Sequence, residues 1–184
     1  GNTDNEYTQK FGKQQGKYYV PQRAAAGLDP WATPQAYDNA KDFFDTGITW
    51  SNSLNVAQML DKSSYSISLG NTHQDGIISS TGMDRYNVKV SADTKLTNNW
   101  SSGFTANYIT TSIDKAVTSG NGLLRTVYAA PPSYDLAGIP SHVDGNPYTQ
   151  NSFRGSFDNA YWAMENNKFT EDTNRFFGNV YASY

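Results

Sequence analysis

The residues of this chain that could do chemistry are few and scattered. His73 and His142 are the only histidines, and there is no cysteine. Neither histidine stands at the helical i, i+4 spacing of a zinc site. The Asp- and Asn-rich pieces 2–6 and 171–174 could offer oxygens to Ca²⁺, but neither has the residue order of a known calcium loop. We therefore expect both histidines to lie in loops, and we predict no metal and no cofactor.

Two pairs of carboxylates are close enough in sequence to be considered for acid–base catalysis. They are Asp158 with Glu165 and Glu171 with Asp172. A glycosidase uses such a pair, one as the acid and the other as the base or nucleophile. Acidic residues on a solvated loop are far more common, however, so we expect no catalytic residues and no enzyme.

Charge and hydropathy bear on two further classes of protein. The net charge is −3 with both signs scattered along the chain, which leaves no basic stripe for a nucleic acid. The mean hydropathy is −0.67, and no apolar run approaches the roughly 18 residues of a transmembrane helix. Membrane-spanning strands are still compatible with this composition, because they alternate apolar with polar residues. The 13 tyrosines suit an interface between membrane and water.

Five segments alternate apolar and polar residues, which is the period of a β-strand. In the second segment, Tyr65, Ile67 and Leu69 alternate with small polar residues. The polar face consists mainly of Ser, Thr, Asn and Gly, whereas a soluble sandwich would show long charged side chains there. The five segments are residues 48–56, 63–71, 86–93, 100–109 and 176–184.

The connections between these segments are predicted to alternate between short and long. Residues 60–62 and 95–99 are short enough for tight hairpins, whereas 72–84 and 111–173 are longer. Outer-membrane barrels have short periplasmic turns and long extracellular loops. We therefore predict an all-β fold that is part of a large antiparallel transmembrane β-barrel, with about five strands and long extracellular loops.

This pattern divides the chain into four parts. We predict an extracellular loop region in 1–47, four antiparallel barrel strands with short periplasmic turns in 48–110, a long extracellular loop with short helical pieces in 111–173, and a barrel strand in 174–184. Within the first part, residues 1–41 should be irregular, with at most one helical turn near Pro34. Within the long loop, short helices are expected over 122–129 and 157–164.

Aromatic residues stand at the ends of the predicted strands. Trp50, Tyr86 and Tyr108 fall at the outer ends and Trp100 at an inner end, which predicts two aromatic girdles at the membrane interfaces. The alternative is a surface-exposed, glycan-binding β-sandwich without transport, in which such residues pack under loops. An isolated five-stranded sheet leaves backbone groups unpaired in lipid. We therefore expect further strands to lie outside this segment. Any export signal has either been removed or lies outside it as well.

A series of strand and turn signatures carries a family resemblance. The signatures are Asp42-Phe-Phe-Asp-Thr-Gly-Ile-Thr-Trp-Ser-Asn-Ser-Leu-Asn-Val-Ala57, Gln74-Asp-Gly-Ile-Ile78, Asp84-Arg-Tyr-Asn87 and Asn174-Arg-Phe-Phe-Gly-Asn-Val180. In order and spacing the chain resembles the early barrel region of SusC/RagA-type TonB-dependent transporters, over about 42–116 and 157–184. The hairpin at 57–62 departs from the Gly-Gly that the family often has before this turn, which leaves its turn geometry open.

The resemblance implies a barrel of about 22 strands, plugged by an N-terminal domain, in the cell outer membrane of Bacteroidetes. It implies the uptake of oligosaccharide or oligopeptide nutrients. Three partners follow from it: a SusD-like surface lipoprotein, TonB acting through a plug region absent from this segment, and the surrounding lipid bilayer.

Residues of the long loop are the candidates for contacts with cargo. Aromatic faces can stack on a sugar ring or line a peptide groove while a polar edge forms hydrogen bonds. A guanidinium can contact an anionic ligand or the lipoprotein, and Arg125 could act in the same way. For the aromatic residues the alternative is packing within the loop. The predicted ligand-binding residues are Tyr134, Tyr148, Arg154, Tyr161 and Trp162.

Overall fold

The computed structural model describes residues 16–116 and 122–184. Strands make up 49% and helices 15% of these residues, so the fold is mostly β with antiparallel sheets. In chain order the described elements are β1 (Tyr18–Tyr19), α1 (Pro21–Ala25), β2 (Trp31–Ala32), α2 (Asn39–Phe43), β3 (Thr49–Met59), β4 (Ser63–Asp75), β5 (Gly82–Lys95), β6 (Ser101–Lys115), α3 (Leu123–Ala129), β7 (His142–Val143), β8 (Asn146–Gln150), α4 (Ala160–Asn166) and β9 (Phe169–Ser183).

The chain divides into two compact units. The first, called the sheet unit, consists of Thr46–Lys115 and Phe169–Tyr184. The second, called the loop unit, is described over residues 16–45, Ala116 and 122–168. Each unit is built from segments that are distant in sequence, because β9 returns to pair with β6 after the segment that contains α3 and α4.

The sheet unit is one five-stranded antiparallel sheet in the order β3-β4-β5-β6-β9. Its register keeps apolar residues together, since directly opposed residues share a face. Among the described residues β3 and β9 are each paired on one side only, so the sheet is open. One central row of the apolar face contains Leu54, Leu69, Val88, Tyr108 and Phe176.

The five predicted strands are confirmed, but several run further than the alternation indicated. The connection expected over 72–84 is only residues 76–81, because β4 and β5 continue to pair through polar residues such as His73 opposite Asp84. The expectation of a long second connection is therefore wrong. β6 also continues to Lys115, and β9 already begins at Phe169, which is opposite Lys115. In this extension the Lys115 ammonium pairs with the Glu171 carboxylate.

The hydrophobic core lies in the loop unit. All the buried hydrophobic residues of the described part belong to it, whereas the sheet unit contributes none. Buried amides tie distant segments together within the core. The Asn151 amide donates to the Gln22 carbonyl at 2.8 Å, and the Leu136 backbone N–H donates to Asn39 Oδ1 at 3.1 Å. The buried hydrophobic residues are Val20, Phe43, Leu123, Val127, Tyr134, Leu136, Ile139, Phe157, Ala160 and Ala163.

The described part of the first 41 residues is more regular than expected. β1 and β2 form a two-stranded ribbon, and α1 begins at Pro21, where proline suits a first helical turn. Contacts distant in sequence order this segment, as when the Tyr18 hydroxyl donates to the Ser133 carbonyl at 2.5 Å. The prediction of an irregular loop is therefore wrong for these residues, because local sequence does not reveal such contacts.

Both helices expected in the long loop are present. The first, α3, covers Leu123–Ala129 and ends before Pro131, as predicted. The second, α4, begins about three residues later than expected, because Asn159 caps it. The Asn159 side chain accepts hydrogen bonds from the backbone N–H groups of Tyr161 and Trp162. An N-cap asparagine satisfies backbone donors that have no partner inside the helix.

Candidate functional site

The apolar face of the five-stranded sheet is exposed. Its side chains are 58% exposed at Leu54, 59% at Val56, 73% at Phe176 and 81% at Val180. We call the three central rows of this face the apolar belt. Each row crosses all five strands, and the rows run from Leu54 to Phe176, from Val56 to Gly178 and from Gln58 to Val180. The belt consists of Leu54, Leu69, Val88, Tyr108, Phe176, Val56, Ile67, Val90, Ala106, Gly178, Gln58, Tyr65, Ala92, Phe104 and Val180.

The opposite face of the sheet carries small polar side chains that bond to one another. Ser51 Oγ lies 3.2 Å from Thr72 Oγ1, and Ser68 Oγ donates to Asn55 Oδ1 at 3.3 Å. From Ser64 to Thr72 the β4 residues of this face are half-buried, whereas Ile67 and its apolar neighbours are exposed. This is the reverse of a soluble sheet, which buries its apolar side.

Aromatic side chains border the belt at both ends. Tyr108, in the outermost row of the belt at one end, is 45% exposed. Tyr86 in the adjoining row is 53% exposed, and Trp50 is 67% exposed beyond it. At the other end the rings of Trp100 and Tyr184 lie 5.1 Å apart. The structure therefore brings the four predicted interface aromatics, Trp50, Tyr86, Trp100 and Tyr108, to the two borders of one apolar surface.

The distance between the aromatic borders follows from the register. Thr110 is opposite Tyr86 and is ten positions from Trp100 along the chain. At about 3.4 Å per residue this is about 34 Å along the strand, and a strand tilted by roughly 40° would rise about 26 Å over that length. The apolar belt itself, from Phe104 to Tyr108, takes up about 14 Å of strand between these borders.

Both histidines lie in strands, so the expectation that they lie in loops is wrong. His73 is in β4, with Nδ1 2.7 Å from Asp84 Oδ1 and Nε2 3.3 Å from Asp75 Oδ1. His142 is in β7. Over residues 16–116 and 122–184 no group of three His, Cys, Asp or Glu side chains could hold a metal ion. The piece 2–6 considered for Ca²⁺ lies outside the described residues.

Two of the carboxylates considered for catalysis, Asp158 and Glu171, have structural partners. Asp158 Oδ1 accepts a hydrogen bond from Gln150 Nε2 at 2.8 Å. Glu171 and Asp172 belong to β9, where Glu171 pairs with Lys115 and Asp172 is opposite Ser112. The piece 171–174 is therefore extended strand, not a loop that could wrap a cation.

Tyr134, predicted to contact a ligand, is a core residue with 8% of its surface exposed. Its ring packs against Phe153 with centroids 5.6 Å apart. The hydroxyl is fully buried and has no hydrogen-bond partner among the residues that the structure describes. Burial, followed by the negative charge of Asp135, raises the pKa of the Tyr134 hydroxyl. Because its face is covered, this ring is not available to stack on a sugar.

Tyr161 and Trp162 are half-buried on the first turn of α4. The Tyr161 ring packs edge-to-face on Phe43 with centroids 5.3 Å apart, and its hydroxyl donates to the Asp42 carbonyl at 3.3 Å. Burial, followed by the charge of Asp42, raises the Tyr161 pKa. Trp162 Nε1 donates to the Pro147 carbonyl at 2.9 Å. Both side chains therefore fix loop segments to one another.

Tyr148 and Arg154 are the two predicted ligand-binding residues that are exposed. Tyr148 is 85% exposed in β8. Its backbone N–H donates to Asn146 Oδ1 at 3.1 Å, which fixes the chain where the hairpin turns. Arg154 lies over the ring of Phe157, a contact that sequence spacing did not indicate. Of the five predicted residues, these two present groups that a ligand could reach.

Comparisons with known proteins identify no family for this chain: no family model matches, and no curated protein matches. Among the described residues, no helix is both long enough and apolar enough to cross a bilayer.

Proposed function

We propose that the sheet unit is part of the wall of a transmembrane β-barrel in the cell outer membrane. The observation that carries this proposal is the exposed apolar belt, bordered by aromatic residues at both ends. Five strands spaced about 4.8 Å apart and the three rows of the belt spaced about 6.8 Å apart give a face of roughly 500 Å². That area lies in the upper part of the range found for apolar patches on soluble monomers, and lipid contact requires such a surface.

The other face suits a water-filled lumen. Its Ser, Thr and Asn side chains bond across strands, as Thr105 Oγ1 does with Ser91 Oγ at 3.4 Å. Lumen-facing residues of membrane barrels are polar and alternate with lipid-facing ones. A barrel wall also requires partners for the open edges of β3 and β9, since unpaired backbone groups in lipid cost several kcal/mol each. Further strands must therefore complete it.

We propose further that the protein is a SusC/RagA-type TonB-dependent importer of oligosaccharides or oligopeptides. The support is the resemblance carried by the strand and turn signatures, together with a loop unit that presents Tyr148 and Arg154 to solvent. In such an importer the sheet unit forms part of the barrel wall, and the loop unit contacts cargo or a SusD-like lipoprotein. In importers of this type TonB acts on the plug domain.

Membrane extraction tests the barrel. The protein should leave the envelope only with detergent and should migrate faster on a gel before heating than after it, as folded barrels do. A protein released by salt or by a carbonate wash would instead support the alternative, a surface-exposed glycan-binding β-sandwich.

Growth tests the importer. Deleting the gene should abolish growth on one class of oligosaccharide or oligopeptide while growth on the corresponding monomer continues. Unchanged growth and uptake on a panel of both classes would remove transport from the proposal while leaving the barrel wall in place.

A further inference from the structure

We propose that Arg85, Lys89 and Arg175, on the polar face of the sheet unit, form a binding surface for an acidic oligosaccharide. We call these three residues the cation triangle. The inference rests on the proposed function, because it takes the polar face to line the lumen through which cargo passes. It narrows the cargo to an oligosaccharide that carries several carboxylates.

The two faces of the sheet differ in charge. All five Lys and Arg residues of the five strands lie on the polar face, which has only two acids, Asp93 and Glu171. The apolar face has four Asp residues at one end and no Lys or Arg. The whole chain has a net charge of −3, so its composition does not account for a positive face. The five cations are Arg85, Lys89, Lys95, Lys115 and Arg175, and the four Asp residues are Asp75, Asp84, Asp114 and Asp172.

The acids of the polar face are already engaged. Glu171 pairs with Lys115, and Asp93 Oδ1 accepts the hydrogen bond from the Tyr181 hydroxyl. No described residue forms an ion pair or a hydrogen bond with the side chains of the cation triangle. All three of these residues are exposed. Their charges are therefore available to a ligand.

The register fixes the spacing of the three cations. Arg85 and Lys89 are four residues apart on β5, which is about 14 Å. Arg175 on β9 is in the row of Asn87, midway between them and two strands away. With strands about 4.8 Å apart, its Cα lies about 12 Å from the Cα of each of the other two. One small anion cannot contact all three cations, whereas a chain with a carboxylate on successive units can place one beside each.

The rows that contain the triangle have no acid on this face. A surface lined by one sign of charge raises the local concentration of ligands of the opposite sign. A guanidinium also donates two parallel hydrogen bonds to a carboxylate. Arg85 and Arg175 therefore suit a ligand that carries carboxylates, and Lys89 adds a third point of attraction.

The residues around the centre of the triangle suit a sugar better than a peptide. Asn87, Asn107 and Thr111 surround it, and their side chains both donate and accept hydrogen bonds, as sugar hydroxyls do. A peptide would need apolar pockets for its side chains. Among the described residues, the one apolar side chain at the centre is Ile109. An oligosaccharide of uronic acids has both the hydroxyls and the carboxylates that this surface matches.

Calorimetric titration of the purified, detergent-solubilised protein tests the inference with three probes. They are tetragalacturonate, its methyl ester and tetraglutamate. The ester has the same sugar chain without the charge, and the peptide has the charge without the sugar. Tetragalacturonate should bind about tenfold or more tightly than its ester, because several exposed ion pairs add up, and more tightly than tetraglutamate. The preference over the ester should weaken as salt increases.

Variants assign the effect to the cation triangle. R85Q, K89Q and R175Q should each lower the affinity for tetragalacturonate by about three- to fivefold, and the triple variant should bind acid and ester equally. K95Q is the matched control, because Lys95 is an exposed residue on the same face of the same strand, six residues from Lys89. It removes the same charge and should leave the affinity unchanged.

The inference is overturned if acid and ester bind equally, if tetraglutamate binds as tightly as tetragalacturonate, or if K95Q and K89Q have equal effects. An acidic protein surface packed on the triangle would also overturn it. In that case the probes would not discriminate, and the triple variant would unfold at a lower temperature than the parent protein.

Failure of the inference is distinguishable from failure of the proposed function, because binding is measured without transport. A protein that needs detergent and supports growth on a neutral oligosaccharide, but shows no preference for the acid, would remain an importer without this surface. A protein released without detergent that still prefers the acid through Arg85 and Arg175 would keep the surface and remove the lumen.

Discussion

The Tyr181 hydroxyl donates a hydrogen bond to Asp93 Oδ1 at 2.7 Å, although a strand separates the two residues. Tyr181 is in β9 and Asp93 is in β5, with Gly103 of β6 opposite both. A Cβ at position 103 would lie 2.6 Å from Tyr181 Cε1 and would also collide with the Asp93 carboxylate. The missing side chain of Gly103 is therefore what allows the phenol ring to cross β6.

Replacing Gly103 by alanine should destabilise the sheet. The added methyl must displace the Tyr181 ring or shift β6, and overpacking of this kind costs about 1–3 kcal/mol. Urea unfolding of the lipid-reconstituted protein measures the difference. G155A is the matched control, because a Cβ at Gly155 meets nothing within 4 Å. Equal stability of G103A and the parent protein would show that Tyr181 does not need this space.

Replacing Tyr134 by phenylalanine should not destabilise the loop unit at neutral pH. The hydroxyl is buried and no described residue forms a hydrogen bond with it, so the substitution removes a desolvated polar group and leaves the ring packing on Phe153. The expected effect ranges from neutral to a gain of about 1 kcal/mol. Hydrogen exchange of the amides in α3 and α4 reports it. Faster exchange in Y134F would mean that the hydroxyl has a partner after all.

The raised pKa of Tyr134 predicts that the loop unit becomes less stable at alkaline pH. Burial raises the pKa of Tyr134 above the value of 10.0 that an unperturbed tyrosine has, so the folded state holds the phenol proton more tightly than the unfolded state does. The stability this contributes is complete below about pH 10 and falls as the pH rises toward the folded pKa. Y134F should lose less stability than the parent protein between pH 9 and pH 11, measured by the same exchange experiment.

Asn159 should be the polar residue of the loop unit most sensitive to substitution. It is 1% exposed, caps α4, and donates from Nδ2 to the Asn151 carbonyl at 2.8 Å. N159A removes the cap and leaves a buried carbonyl with one partner fewer, which should cost about 2–3 kcal/mol. N167A, at an exposed position after the same helix, is the control and should cost well under 1 kcal/mol. Chemical unfolding followed by tryptophan fluorescence compares the two.

The five strands could be predicted from the sequence because the alternation of apolar and polar residues is a local pattern. Alternation such as Tyr65, Ile67 and Leu69 against serines requires a strand, and small hydroxyls on the second face distinguish it from a soluble sheet. The strand ends could not be predicted, since residues such as His73 and Asp84 extend the pairing by contacting each other across strands. His73 and Asp84 are eleven residues apart in the chain, and as polar residues they interrupt the alternation of apolar and polar positions.

The loop unit shows the opposite situation. Its aromatic residues could be recognised as important, but their roles depend on contacts between residues far apart in the chain. Tyr161 reaches Asp42, 119 residues away, and Tyr18 reaches Ser133, 115 residues away. The exposure of these side chains therefore depends on the fold, in which Tyr148 and Arg154 are accessible and Tyr134 is buried.

The apolar belt predicts unequal tolerance to charge on the two faces of β4. Ile67 is in a central row of the belt, and Ser66 is its neighbour on the polar face. If the belt faces hydrocarbon, I67K should destabilise the lipid-reconstituted protein by about 2–4 kcal/mol. S66K should cost well under half as much, since Lys89 already occupies the polar face. Comparable losses in the two variants would contradict a lipid-facing belt.

Site-directed spin labelling tests the central claim most directly, because the chain has no native cysteine. Single cysteines would be placed at 65, 66, 67, 68 and 69 in the lipid-reconstituted protein. Collision rates with oxygen, which partitions into lipid, and with a water-soluble nickel chelate would then be measured at each position. A lipid-facing belt predicts high oxygen and low nickel accessibility at 65, 67 and 69, and the reverse at 66 and 68. Low accessibility to both reagents at 65, 67 and 69 would mean that protein covers this face, and the barrel wall would have to be abandoned.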